Sequence, residues 1–195
     1  MTAPRKPQIA LSSEAAPFAI RAERAADVTM REALLDACFG ETRHGRTCQR
    51  LRDGRAPATG LALSAMREGK LVGTVRLWHV SAGGRPALVL GPLAVDPACR
   101  ELGIGAALMN QALAAARARG HAAVILLGDA PYYARFGFSA EKTGALALPG
   151  PFERDRLLAI EFTNGALDGV EGMIVPTGAA LSKRRAVRSL EARAA

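Results

Sequence analysis

The chain has 195 residues, 49% of them apolar and 23% charged, which is the balance of one ordinary globular domain and not of a disordered or fibrous chain. Aromatic residues make up only 5%, so Leu, Val, Ala and Ile must fill the core, and no apolar run reaches the roughly 18 residues of a membrane-spanning helix. The net charge of +8 raises nucleic acid as a partner, but half of the excess lies in residues 179–195, where Lys183, Arg184, Arg185, Arg188 and Arg193 face Glu191 alone. The remaining charge is spread thinly, without the interleaved aromatics that stack on bases, so nucleic acid and membrane are not expected partners.

Residues 1–16 hold two prolines and no continuous apolar stretch of the kind a secretory signal needs, and read as a flexible leader. Cys38, Cys48 and Cys99 are odd in number and lack metal-ligand or C-x-x-C spacing. They read as reduced thiols in a cytoplasmic protein, with no metal site expected.

Phe18–Ala22 alternates in polarity and predicts a first strand. Asp27 is placed to cap a helix over Val28–Phe39, which Gly40 ends. Residues 41–60 are polar and punctuated by glycine, with a short helix expected around Thr47–Arg52. Such loops often carry binding specificity. Leu61–Arg67 and Leu71–Val80 form a hairpin through Glu68-Gly69-Lys70. Ala87–Val95 (ALVLGPLAV) is the most strand-like run, and its Gly91-Pro92 predicts a bulge, because proline cannot donate to a ladder. A helix over Leu102–Arg119 closes at Gly120. Ala122–Leu127 then reads as a buried strand and Pro131–Arg135 as a short helix. Further strands are expected near Phe138–Ala140, Leu157–Phe162 and Gly172–Val175. These elements predict an α/β (α+β) domain over residues 17–178, with a mostly antiparallel central sheet, helices on both faces and a basic tail from 179 to 195.

The segment Leu93–Phe138 carries the chemistry. A strand runs through a turn into a helix that opens with Gly103-Ile104-Gly105. Unpaired amides and the positive dipole end at a helix N-terminus bind phosphate oxygens, and glycine lets a ligand reach the backbone. Arg100 stands just ahead, positioned to add a charge-assisted contact. A P-loop would follow its last glycine with Lys and Ser or Thr, whereas Ala106-Ala107 follow Gly105. A dinucleotide fingerprint would end on a small residue, whereas Leu108 occupies that place.

Arg100-Glu101-Leu102-Gly103-Ile104-Gly105 fits R-x-x-G-x-G, and Tyr133-Ala134-Arg135-Phe136-Gly137-Phe138 fits Y-x-x-x-G-F. Together with the bulged strand, these resemble the signature elements of the GNAT superfamily of acyl-CoA-dependent N-acetyltransferases. GPLAVDP and GDAPYYARFGF are most similar to its YhbS-like branch. The resemblance covers about Phe18 to Val175. It implies that the bulged strand splays from its neighbour and that pantetheine lies in the wedge, bonded by Leu93, Ala94 and Val95. Arg100, Leu102, Gly103, Ile104, Gly105, Ala106 and Ala107 would wrap the pyrophosphate of acetyl-CoA, the acyl donor. Amides near Leu93 would polarise the thioester carbonyl, and Tyr133 would protonate the leaving thiolate, with Tyr132 a competing candidate. Many relatives carry a Glu or His base on the bulged strand, and this one has neither. Asp129 is the first candidate base, His79 the second and water the third.

The leading expectation is acetyl transfer to a primary amine, from a small molecule, peptide or protein, by direct attack in a ternary complex of a monomer or homodimer. The alternatives are another short acyl group, a CoA-binding regulatory module without turnover, and an RNA-associated protein acting through the basic tail.

Overall fold

The computed structural model describes residues 17–181. The expected leader, and all but the first three residues of the expected tail, lie outside these. Their strands are β1 (Ala19–Ala22), β2 (Ala62–Arg67), β3 (Lys70–Ala82), β4 (Arg85–Val95), β5 (Ala123–Leu127), β6 (Leu146–Ala147), β7 (Leu157–Glu161) and β8 (Gly172–Pro176). The α-helices are α1 (Val28–Phe39), α2 (Ile104–Ala118) and α3 (Ala130–Ala134). The main sheet runs in the order β1-β2-β3-β4-β5-β7, and β8 joins the far end of β3 and pairs with β6. All pairs are antiparallel except β4–β5 and β6–β8. β5 is parallel to β4 because α2 makes the crossover between them.

Strand alternation separates two apolar faces. Leu93 and Val95 pack with the α2 side, where Ile104, Leu108, Met109, Ala112 and Ala116 are fully buried. Ala94 turns the other way and packs with Leu71 against Leu34 and Leu35 of α1. Helices therefore cover both faces, as expected. The α1 side continues into a second cluster around Trp78, Val89, Ile125 and Leu157, closed by Leu51, by Leu146 of β6 and Ile174 of β8, and by the loops that carry Leu148 and Leu167. Gly73 brings α2 close to the sheet, since a Cβ there would lie 2.8 Å from Ile104 Cγ2.

Two local expectations differ from the structure. Asp27 does not cap α1 with its side chain. It is 1% exposed and accepts bonds from Arg21 Nη1 and Nη2 (2.6 and 2.8 Å), Ser64 Oγ (3.0 Å) and the Arg24 amide (2.9 Å). A full arginine fork outcompetes one amide for a carboxylate. Phe138–Ala140 forms only a single bridge, Ser139 to Ala159, because the Phe138 amide still closes the preceding turn onto the Tyr133 carbonyl. The segment Thr47–Leu51 forms the expected short helix, in 3-10 form. The first residues of the expected tail run against the loop after it: the Ala56 amide donates to Ala179 O and the Leu181 amide to Gly54 O, both at 2.8 Å. Among the described residues, no helix is long and apolar enough to cross a membrane.

Candidate active site

The bulge is where the sequence places it. Val75 opposes Leu93 and Leu77 opposes Leu90, so Arg76 alone faces both Gly91 and Pro92. Gly91 takes φ +136, which a residue with a Cβ rarely adopts. The Trp78 indole N–H donates to the Gly91 carbonyl at 2.6 Å and pins the distortion.

Beyond the bulge β4 leaves β5. The two strands pair only at Leu88–Val124 and Val89–Ile125, after which β4 stays with β3 and β5 with β7. The Asp96 amide donates to the Val72 carbonyl on β3 at 2.9 Å. Backbone direction alternates along a strand, so Ala94 bonds toward β3 while Leu93 and Val95 turn their amides and carbonyls into the gap. Of the three residues expected to bond pantetheine, Leu93 and Val95 thus face the wedge with their backbones. Ala94 also lines the smaller of two cavities there, but the alternation turns its amide and carbonyl to β3. The Cys38 thiol reaches in from α1 and donates to the Val95 carbonyl at 3.3 Å.

Two cavities fill the wedge. The larger, of about 960 Å³, lies between Leu90–Leu93 and Leu126–Asp129 and is roofed by the Thr47–Leu51 segment and Phe152. The smaller, of about 190 Å³, runs past Val95 to Arg100 and Gly105. They share Phe39, Leu93 and Tyr132 as lining.

At the far end of the smaller cavity α2 begins. Gly103 is its N-cap in the left-handed region at φ +72, and without a side chain it leaves the first amides of the helix uncapped. The Ala107 amide is taken by the Gly103 carbonyl at 3.0 Å, so the free amides are those of the residues before it. Of these, Ile104 is fully buried, and Gly105 and Ala106 are available to an anion. Ala107 is not, because the first intrahelical bond uses it. Leu102 ends the preceding 3-10 turn, and Arg100 lies exposed on that turn and lines the smaller cavity. A Cβ on Gly105 would sit 3.3 Å from the Tyr132 hydroxyl, so Tyr132 lies across the helix entrance.

Tyr133 lines the larger cavity and packs against Gly128, where a Cβ would come within 2.2 Å of its Cε2. Burial pushes its phenol up from the usual 10 to about 12, with Tyr132 and Asp129 adding to the shift. The group therefore holds its proton throughout the physiological range. Tyr132 meets Tyr133 edge-on, with ring centroids 5.0 Å apart, and Arg135 lies 4.5 Å over the Tyr132 ring. Asp129 is exposed at the cavity mouth. It occupies the N-cap position of α3, yet its carboxylate makes no capping bond. His79 is absent from the cavity lining, and its ring packs 5.3 Å from His121. The structure thus brings Asp129, Tyr132 and Tyr133 together with the bulge and leaves His79 apart.

Sequence reasoning did not single out Trp78 as the pin of the bulge, Cys38 in the wedge or Arg52 in the cavity. The lone tryptophan two positions from the residue opposite Gly91 was a usable signal, because a buried indole N–H requires an acceptor. Arg52 had none: Arg43, Arg46 and Arg50 share its glycine-punctuated stretch. No group of three or more His, Cys, Asp or Glu able to hold a metal occurs among the described residues.

The profile of the acetyltransferase (GNAT) family matches residues 28–138. The chain belongs to the GNAT family. It is accordingly an acyl-CoA-dependent N-acyltransferase, of a family whose acyl donor is acetyl-CoA. It is 30% identical to the uncharacterised N-acetyltransferase YhbS of Escherichia coli K12 over 157 residues, 80% of this chain and 93% of the relative. The crystal structure of E. coli YhbS in complex with CoA superposes with a TM-score of 0.72 at 29% identity, covering 85% of this chain and 93% of that one. A GNAT acetyltransferase from Brucella melitensis, solved with acetyl-CoA, gives a TM-score of 0.64 at 27% identity over 84% and 97% of the two chains.

Proposed function

We propose that this GNAT enzyme binds acetyl-CoA along the β4–β5 wedge and passes the acetyl group directly to a primary amine in the larger cavity. The observation that carries the reading is the continuity of the wedge. Strand backbone without a strand partner at Leu93 and Val95 leads to uncapped helix amides at Gly105 and Ala106. A pantetheine amide chain matches the first and a pyrophosphate the second. Gly103 and Gly105 present no Cβ to the phosphates, and Arg100 adds a positive charge beside them.

In this reading the amine nitrogen attacks the thioester carbonyl carbon while the Leu93 amide donates to its oxygen as negative charge gathers there. The C–N bond forms and the C–S bond breaks. Tyr133 gives its proton to the departing sulfur, and its raised pKa keeps that proton in place until a thiolate is there to take it. The proton shed by the amine goes to Asp129, directly or through water, and from the exposed carboxylate to solvent. The domain assignment that follows is one catalytic unit between the leader and the basic tail, working in the cytoplasm.

Tyr133→Phe and Tyr132→Phe test the assignment in a thiol-release assay with acetyl-CoA and a panel of amines. Tyr133→Phe should lower kcat by roughly 10²-fold while leaving the KM for acetyl-CoA near its original value. Tyr132→Phe should act chiefly on that KM. The reverse pattern would transfer the acid role to Tyr132. Undiminished CoA binding without turnover by the unaltered protein would support the regulatory-module reading instead.

A further inference from the structure

The acceptor half of the cavity holds a cation that the fold leaves uncompensated. Three arginines near it are neutralised: Arg31 by Glu23 and Glu32, Arg43 by Glu32 and Asp36, and Arg76 by Glu23. Arg52 is different. It is half-buried at the end of the Thr47–Leu51 turn and lines the larger cavity. It forms no ion pair among the described residues. Its one bond to the protein runs from Nε to the Cys48 carbonyl at 3.1 Å, which orients the guanidinium without neutralising it. Burial pushes its pKa below the usual arginine value; Cys48 and Asp53 oppose this, and Arg43 and Arg76 add to it.

Its position is defined by the bulge. A Cβ on Gly91 would lie 3.8 Å from Arg52 Nη1, so the fork sits over the strand distortion two residues before Leu93. At about 3.3 Å per residue, the two residues of strand from Gly91 to Leu93 span about 7 Å. Leu51 is fully buried beneath the turn, so Arg52 is carried by a rigid anchor. Asp129 lines the same cavity from the end of β5. The cavity thus has an acidic pole suited to the amine and a basic pole suited to an anion.

We propose that the acceptor is an amino carboxylate, an amine with a carboxylate a few bonds from its nitrogen, and that Arg52 is the residue that selects it. A guanidinium fork matches a carboxylate in two parallel bonds. A desolvated cation without a partner recovers its lost hydration when such a ligand arrives, which favours this class over neutral amines. The inference rests on the acetyltransferase reading above and names its substrate class.

The test uses matched acceptors in the thiol-release assay: free amino acids, their primary amides, and the corresponding amines without the carboxyl group. Free amino acids should be acetylated with kcat/KM at least about tenfold above their amides, in line with a charge-assisted pair. Arg52→Gln should erase that ratio while the KM for acetyl-CoA and the thermal shift given by CoA stay unchanged, which shows that the variant folds. Arg52→Lys should keep part of the ratio. Amides or simple amines used equally well, or a preference that survives Arg52→Gln, overturns the selection by Arg52 and leaves acetyl transfer standing. Thiol release with none of the three acceptor sets removes the acetyltransferase reading for small amines and this inference with it.

Discussion

Asp129 stands at the end of β5 in extended conformation, with φ −80 and ψ 111, and its carboxylate is bonded to nothing in the short helix it precedes. A cap residue that does not cap is free for other chemistry. If the acceptor's proton passes through it, Asp129→Asn should lower kcat/KM by roughly 10²-fold for amines that are protonated at the assay pH. An amine already neutral at that pH should respond far less. Equal rates for both kinds of amine in the variant and the parent would leave the proton to water. Tyr133 was legible in the sequence because Y-x-x-x-G-F fixes it against Gly137 and Phe138. Arg52 was not, because what separates it from Arg43 is the absence of a partner, and partners such as Glu32 and Asp36 are assigned only by the fold.

α2 sits where it does because β3 offers it a groove floor without a side chain. At Gly73 even one methyl group would meet Ile104 at 2.8 Å and Leu108 at 3.0 Å, the two residues that seat the first turn of the helix. Gly73→Val should therefore cost about 1–3 kcal/mol of stability, as other overpacked cores do. It should also raise the KM for acetyl-CoA, since Ile104 begins the turn whose amides face the wedge. Denaturant titration and saturation kinetics on the same variant read the two effects. A normal KM in a destabilised protein would mean that the helix entrance does not depend on this contact. Helix and strand extents were largely legible: α1 spans Val28–Phe39 as expected, because Gly40 halts it. Asp27 was misread because its partners Arg21 and Ser64 lie on strands, and a local pattern sees only the helix start. The two-residue β6 is too short for any periodicity to mark it.

Across the whole molecule, carboxylates on the α1 side are held by arginines. The Arg21 fork keeps Asp27 ionised well below the usual carboxylate range. Burial pushes Glu32 up, but bonds from Arg31 and Arg43 outweigh it and bring its pKa to about 2. A carboxyl whose pKa is lower folded than unfolded stabilises the fold in full above its unfolded value, near 4.5 for Glu32, and loses that contribution as pH falls through the folded one. Stability should hold from pH 7 to about 5 and then fall toward pH 2, and Glu32→Gln should flatten the lower part of the curve. Denaturant midpoints at several pH values check this. A midpoint unchanged between pH 5 and pH 3 would mean that these pairs survive in the unfolded chain.

Mechanically, the main sheet is two plates, β1 to β4 and β5 with β7, joined at their shared border by two rungs at Leu88 and Val89. A molecule that bonds Leu93 and Val95 on one plate while touching the tyrosines carried by the other spans that border as a brace. Acetyl-CoA bound as proposed would then stiffen the scaffold that positions it, and cleavage of the thioester would turn the brace into two separate pieces, each held by fewer contacts than the whole.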